Sequence, residues 1–143
     1  VHLSLYVAAR LPELLVDPIL IEQVLINLLK NAAESVDAAQ RSTVNRSVEL
    51  RVAPKRIQDI DAIEFTVIDT GLGLQPEVMT RLYESFFSTK AEGMGMGLSL
   101  CRSIVESHSG RIAAENIYNG AEVVGCRFAF WIPMQTERLQ DNN

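Results

Sequence analysis

Three polar or glycine-bearing islands interrupt otherwise apolar stretches of this chain, and their order limits what it can fold into. They are Asn27-Leu28-Leu29-Lys30-Asn31-Ala32, then Asp69-Thr70-Gly71-Leu72-Gly73, then Gly93-Met94-Gly95-Met96-Gly97-Leu98. The first lies in a helical pattern, the second closes a strand pattern, and the third leads into another helical pattern. Each alone is a weak signal. Together, in this order, they describe one pocket.

The 143 residues are enough for one domain with one core. Nearly half are hydrophobic, at 48%, which places the chain among globular rather than disordered sequences. A net charge of -5 argues against a nucleic-acid platform, because phosphate tracking needs a basic face. A nucleotide site needs only a few placed donors and a metal, so the acidic total does not exclude one. Cys101 and Cys126 have no metal-ligand spacing and form no disulfide framework, so they read as core thiols in a reducing compartment. No apolar run reaches the length of a membrane span, and no signal peptide is present. The chain opens on Val1, as an excised fragment would. A cytoplasmic domain without direct membrane contact is expected, any membrane anchor of a longer parent lying elsewhere.

His2 to Ala9 alternates loosely through Leu3, Leu5 and Val7, which predicts a strand. Asp17-Pro18 supplies an N-cap and a proline at the first helical position. From there Ile21, Val24, Leu25, Leu28, Leu29 and Ala32 keep the 3.6-residue period, predicting a helix to about Ala39. Gln40 to Asn45 reads as a loop. Val48 to Ala53 and Ala62 to Asp69 read as strands of a hairpin with Gln58-Asp59-Ile60-Asp61 at its tip. Pro76 begins a short helix to about Tyr83, and Glu84 to Gly97 reads as irregular. A second long helix follows, with Leu98, Cys101, Ile104 and Val105 inward and Gly110 as its C-terminal cap. Arg111 to Asn116 and Cys126 to Ile132 are the last predicted strands. Residues 1–133 thus form the domain, and 134–143 a disordered tail. The predicted fold is an α/β two-layer sandwich, its mixed, mostly antiparallel sheet carrying helices on one face.

Asn27, Asn31 and Glu34 fall at i, i+4 and i+7, along one stripe beside the apolar face of the first helix. Carboxamide oxygens are hard ligands suited to magnesium, which shares its positions with water and phosphate. Asparagines on a solvated face are the plain alternative, although Asn is a poor helix former in mid-helix. Asp69 ends the row Ile63, Phe65, Val67, so its carboxylate joins a core-facing side and needs donors. An adenine amine would be one, with Gly71 and Gly73 letting the backbone approach the base. A turn-forming Asp before glycine is the alternative. Gly93, Gly95 and Gly97 allow backbone amides to point into a cavity where a helix N-terminus favours phosphate. No strand precedes them and no Lys-Ser/Thr follows, so neither a dinucleotide fingerprint nor a Walker loop is read here. A lid hinge is a compatible second role. In Phe86-Phe87-Ser88-Thr89-Lys90 the aromatic pair can anchor a loop while Thr89 and Lys90 address terminal phosphates.

The set resembles the catalytic and ATP-binding domain of bacterial two-component sensor histidine kinases, of the Bergerat-fold gyrase, heat-shock chaperone and MutL ATPase superfamily. Asn27-x-x-x-Asn31-Ala32 is similar to that family's N box, and Asp69-x-Gly71-x-Gly73 to its G1 box. Phe86 to Lys90 is similar to its F box, and Gly93 to Leu98 to its G2 box. Gly125-Cys126-Arg127-Phe128 through Pro133 is similar to its last strand. The resemblance implies that Asn31, with Asn27 beside it, holds Mg2+, and that Lys30 joins them in the catalytic set. It implies that Asp69 reads the adenine amine, with Gly71, Gly73, Phe87, Thr89, Lys90, Gly93, Gly95, Gly97 and Leu98 completing the ATP site. Asn27 stands where hydrolysing relatives carry a water-activating glutamate, which suits a kinase. Ser35 stands where some members carry an aromatic or basic residue, and Cys126 where threonine is frequent.

The activity implied is transfer of the γ-phosphoryl of Mg-ATP to a histidine on a partner, a dimeric helical-hairpin phosphoacceptor domain, with a response regulator downstream in the phosphorelay. Neither His2 nor His108 has the setting of a phosphoacceptor; His108, near a helix end, reads as a cap or packing residue. Two rivals are a degenerate nucleotide-binding interaction module without phosphotransfer and a related serine kinase of the anti-sigma type.

Overall fold

Asp17 and Pro18 start the longest helix as their order predicts. In the computed structural model, which describes residues 1–11, 13–42, 45–81 and 94–134, helix α1 runs Pro18–Ala39. The Asp17 carboxylate accepts the amides of Ile19 (3.0 Å) and Leu20 (3.3 Å), satisfying two of the first-turn donors that a helix leaves open. Gln40 ends the helix in the left-handed region, at φ 52°. Ile21, Val24, Leu28, Ala32 and Val36 form its buried stripe, spaced as the sequence requires.

The strands are β1 (His2–Val7), β2 (Ser47–Ile57), β3 (Ile60–Asp69), β4 (Arg111–Asn119) and β5 (Glu122–Pro133). They form one sheet in the order β1-β2-β3-β5-β4. Only the β1–β2 pair is parallel. The β2–β3 hairpin is longer than its hydrophobic cores alone suggest. Its tip is the two-residue turn Gln58-Asp59, both at positive φ, while Ile60 and Asp61 already belong to β3. Two left-handed residues match the twist of an antiparallel ribbon, which a four-residue tip does not require. Gly120-Ala121 closes the β4–β5 hairpin in the same space, with Asn119 opposite Glu122.

Helix α2 is short, Pro76–Arg81, and α3 runs Met94–Ser107. Helix α3 therefore starts inside the glycine segment, four residues before Leu98. Its apolar stripe (Leu98, Cys101, Ile104, Val105) is buried as expected. The helix end differs by one residue from the sequence reading. Ser109, at φ 66°, takes the left-handed position. Its amide donates to Glu106 O (2.9 Å) and that of Gly110 to Val105 O (3.0 Å), the paired bonds of a Schellman ending. Gly110 is required for another reason: a Cβ there would lie 1.9 Å from the carbonyl oxygen of Trp131. His108 joins two helix ends. Its Nε2 accepts the Asp17 amide (3.1 Å), while its Nδ1 lies 2.9 Å from Ile104 O. That pair of contacts fits the Nδ1-protonated tautomer.

Both long helices cover one face of the sheet. Val48 and Val67 meet the α1 stripe, and Ile112, Phe128, Phe130 and Ile132 extend the core beneath α3. Phe65 and Phe130 face each other across β3 and β5 with rings stacked 4.7 Å apart. Burying Phe130, Leu28 and Ile132 completely stabilises the fold by roughly 1.5–3 kcal/mol each. Arg51, Glu64, Glu115 and Arg127 occupy the alternate register and form the opposite, charged face. The two-layer sandwich is as the sequence predicts. After Pro133 the Met134 amide still bonds to Asp61 O (2.8 Å), and the rest of the predicted tail, 135–143, lies outside the described residues. Among the described residues no helix is long and apolar enough to cross a membrane.

Candidate functional site

Helix α1 and the segment following β3 face each other across a cavity of about 270 Å³. Asn31, Glu34 and Ser35 line it from the helix, and Leu72, Gly73, Leu74, Gln75 and Val78 from the other side. The helical repeat puts Asn31 and Ser35 on one stripe, which makes them neighbours on this wall. The side-chain nitrogen of Asn31 is buried and has no hydrogen-bond partner among the described residues. A buried amide end left unpaired costs about 1–3 kcal/mol, so a hydrogen-bond acceptor at this position would be stabilising.

Asp69 is the last residue of β3 and leads into the segment that forms the far side of the cavity. Only 4% of Asp69 is exposed, and its carboxylate accepts the amide of Gly71 at 2.8 Å. Burial pushes its pKa up to about 6, against the pull of the Gly71 and Cys126 amides. A raised pKa in the native state means that protonation favours folding. The stability it contributes is fully present below about 3.8 and is lost as pH rises through about 6. The nucleotide-free domain should therefore lose about 2 kcal/mol between pH 4.5 and 7 relative to Asp69→Asn, whose urea midpoint lacks this dependence. Equal pH slopes for the two proteins would contradict the assignment.

The segment after Asp69, from Thr70 to Leu74, has no strand or helix of its own, yet most of its polar backbone groups are paired. The Leu72 amide donates to Ser35 Oγ (2.9 Å). Arg41 donates to Thr70 O (2.9 Å) and Gly71 O (3.0 Å). Asn116 takes both polar groups of Leu74: its Oδ1 accepts the amide (2.8 Å) and its Nδ2 donates to the carbonyl (2.9 Å). The glycines explain how closely these groups pack. A Cβ on Gly71 would lie 2.2 Å from Ser35 Oγ. Gly73 has φ +78°, and a Cβ there would fall 2.5 Å from Val123. The close approach each glycine permits here is to protein atoms.

The remaining sequence-derived residues divide into three groups. Asn27 is half-buried and turns toward α3: a Cβ on Gly97 would lie 3.4 Å from its Oδ1, and its side chain bonds the Cys101 thiol. Asn31 lines the cavity, and Asn27, one turn earlier, faces α3. Lys30 is exposed, Leu98 is buried in the core, and Gly95 and Gly97 lie in the first turn of α3. The Gly95 amide falls among those a helix leaves without internal partners; Gly97, the fourth helical residue, stands where the first i→i−4 bond closes. Phe87, Thr89, Lys90 and Gly93 lie outside the described residues. Both cysteines are buried, with thiol pKa values pushed up to about 12 chiefly by burial, so they act as core thiols. Sequence reasoning missed Arg41 and Asn116. Arg41 gave no signal inside a polar loop, whereas Asn116 was visible as a polar residue ending the apolar row Ile112, Ala114 of β4.

Comparison with known proteins places this geometry. Residues 16–136 match the family described as histidine kinase-, DNA gyrase B-, and HSP90-like ATPase. The chain is 43% identical over 123 residues to the sensor protein FixL of Bradyrhizobium diazoefficiens, covering 86% of this chain and 22% of that protein. It is 41% identical to the C4-dicarboxylate transport sensor protein DctS of Rhodobacter capsulatus, over 79% of this chain and 16% of that one. The chain therefore spans about a fifth of the length of these curated relatives. Among solved structures, the nucleotide-free catalytic domain of histidine kinase ThkA superposes with a TM-score of 0.68 at 27% identity, covering 92% of this chain and 79% of that one. Full-length ShkA in complex with AMPPNP gives 0.68 at 26% identity, over 92% and 25%. Mixed sheet and helix pair agree with these matches: the chain belongs to the histidine kinase-, DNA gyrase B- and HSP90-like ATPase family, as an ATPase domain of the sensor histidine kinase kind.

Proposed function

We propose that this domain binds Mg-ATP between α1 and the Asp69–Leu74 loop and delivers its γ-phosphoryl group to a histidine on a helical-hairpin partner domain. The observation that carries this reading is the side-chain NH2 of Asn31, buried at a cavity wall without a partner among the described residues, together with the buried Asp69 carboxylate at the start of the loop that forms the facing wall. Asp69 is an acceptor already holding one backbone donor, and an adenine amine is a second donor of matching chemistry. An amide presents an oxygen at one end and an NH2 at the other, so Asn31 can serve a hard cation or a phosphate oxygen. Asn27 would support Asn31 from the seam with α3. Bound magnesium supplies charge neutralisation at the phosphates.

The chain's own part is positioning. Asn31 would fix the polyphosphate end, Asp69 the base, and the first-turn amides of α3 would add positive potential beside the phosphates. Thr89 and Lys90 are assigned to the terminal phosphates by motif alone. In the transfer itself a nitrogen of the partner's histidine bonds to the γ-phosphorus, the bond to the β-γ bridging oxygen breaks, and ADP leaves. The imidazole proton passes to a base on the partner domain. From there the phosphoryl group would move to a response regulator. Full-length ShkA, a quarter of which this chain covers, is in complex with AMPPNP, an ATP analogue, which supports nucleotide binding as the reading for this domain.

The test is to mix the domain with the parent's separately purified hairpin and γ-labelled ATP. Acid-labile, base-stable label on the hairpin is the expected result. Nucleotide binding without any label would instead make the domain a binding module.

A further inference from the structure

The Asp69–Leu74 loop is held by side chains from three other segments, and one of them contributes more than its place in a polar loop suggests. A trans peptide group points its carbonyl and its amide in opposite directions, so fixing both ends fixes the plane. The Thr70–Gly71 peptide is fixed this way: its carbonyl accepts from Arg41 Nε (2.9 Å) and its amide donates to Asp69 Oδ1 (2.8 Å). The next peptide repeats the pattern, with the Gly71 carbonyl accepting from Arg41 Nη2 (3.0 Å) and the Leu72 amide donating to Ser35 (2.9 Å). Nη2 also lies 3.5 Å from Val123 O on β5. A single half-buried guanidinium thus grips two successive carbonyls and reaches the neighbouring strand. Only a planar fork with donors at fixed spacing can do this; a lysine offers one flexible point.

We infer that Arg41 is a positioning residue for base recognition, setting the Asp69 carboxylate through the shared Thr70–Gly71 peptide. This rests on the reading in which Asp69 takes the adenine amine. Without Arg41 the peptide is held at one end only. The carboxylate then loses its fixed direction, and discrimination between bases falls more than binding itself does.

The readout is a preference, not an affinity. Inosine triphosphate carries an oxygen where ATP carries the amine, and a proton on N1 where adenine has a lone pair, so the ratio of the two dissociation constants reads recognition of the base edge that Asp69 is assigned to, with Asp69→Asn as its reference. A general loosening of the domain weakens both nucleotides alike and leaves the ratio unmoved. Arg41→Gln should lower the ATP-over-ITP preference roughly three- to tenfold, and Arg41→Lys, keeping one carbonyl contact, should restore part of it. Asp69→Asn is the reference and should lose the preference outright. If Arg41→Gln keeps the wild-type ratio while Asp69→Asn loses it, Arg41 only supports the fold and the inference is overturned. If Asp69→Asn itself keeps the ratio, base reading by Asp69 has failed, and this inference with it.

Discussion

Asp69→Asn is expected to weaken ATP binding about 10- to 100-fold while leaving the nucleotide-free domain at least as stable at pH 7. The two effects have one cause. A buried carboxylate whose pKa is raised by burial to about 6 is ionised at pH 7 at a cost to folding. The fold retains that cost because an ionised acceptor binds an amine more strongly than a neutral one. Asparagine fills the same space, keeps an oxygen for the Gly71 amide, and removes the charge. Its NH2 also turns a second donor toward the amine, which is repulsive. Calorimetry gives the affinity and urea unfolding the stability. Weaker binding together with lower stability would point to misfolding; unchanged affinity would show that the carboxylate does not read the base.

Asn31→Ala is expected to abolish magnesium-dependent binding and to slow phosphotransfer at least about 100-fold, since metal-borne charge stabilisation is worth several kcal/mol. The fold should be unaffected or slightly firmer. Alanine is the better helix former, and the substitution deletes the amide end that has no partner among the described residues. A large activity loss without a stability loss separates this residue from its neighbours in the stripe. Ala32 and Leu28 are buried in the core, and changes there would be felt as packing. Labelled ATP with the hairpin supplied in trans measures the rate, and thermal unfolding checks the fold. Transfer at the wild-type rate would exclude Asn31 as the metal-side ligand.

How far the sequence reached depended on whether a feature was local. Helix α1 was legible because Asp17, Pro18 and a long 3.6-residue stripe all act within one segment. Asp69 was legible as the end of a core-facing row, since strand alternation alone puts it beside Val67 and Ile63. The start of α3 was not, because three glycines in a row of alternates argue for irregular chain. In the folded domain Met94 to Gly97 are nonetheless helical, and Gly97 faces Asn27 on the neighbouring helix. The helix ending was misplaced by one residue for a similar reason. Gly110 looked like the left-handed cap, but its missing side chain is needed for the carbonyl of Trp131, and Ser109 takes the turn. The fixing of the loop by Ser35, Arg41 and Asn116 was out of reach, because those residues lie 29 to 42 positions from the atoms they bind, apart from their meeting in space.

The measurement closest to the central claim is a calorimetric titration of the domain and of Asn31→Ala with ATP, each with magnesium and with a chelator. The account predicts one site on the unaltered domain, tight with magnesium and much weaker without it, and a variant that no longer responds to the metal. Absence of binding in both buffers, or binding that ignores magnesium and the loss of Asn31 alike, would contradict it.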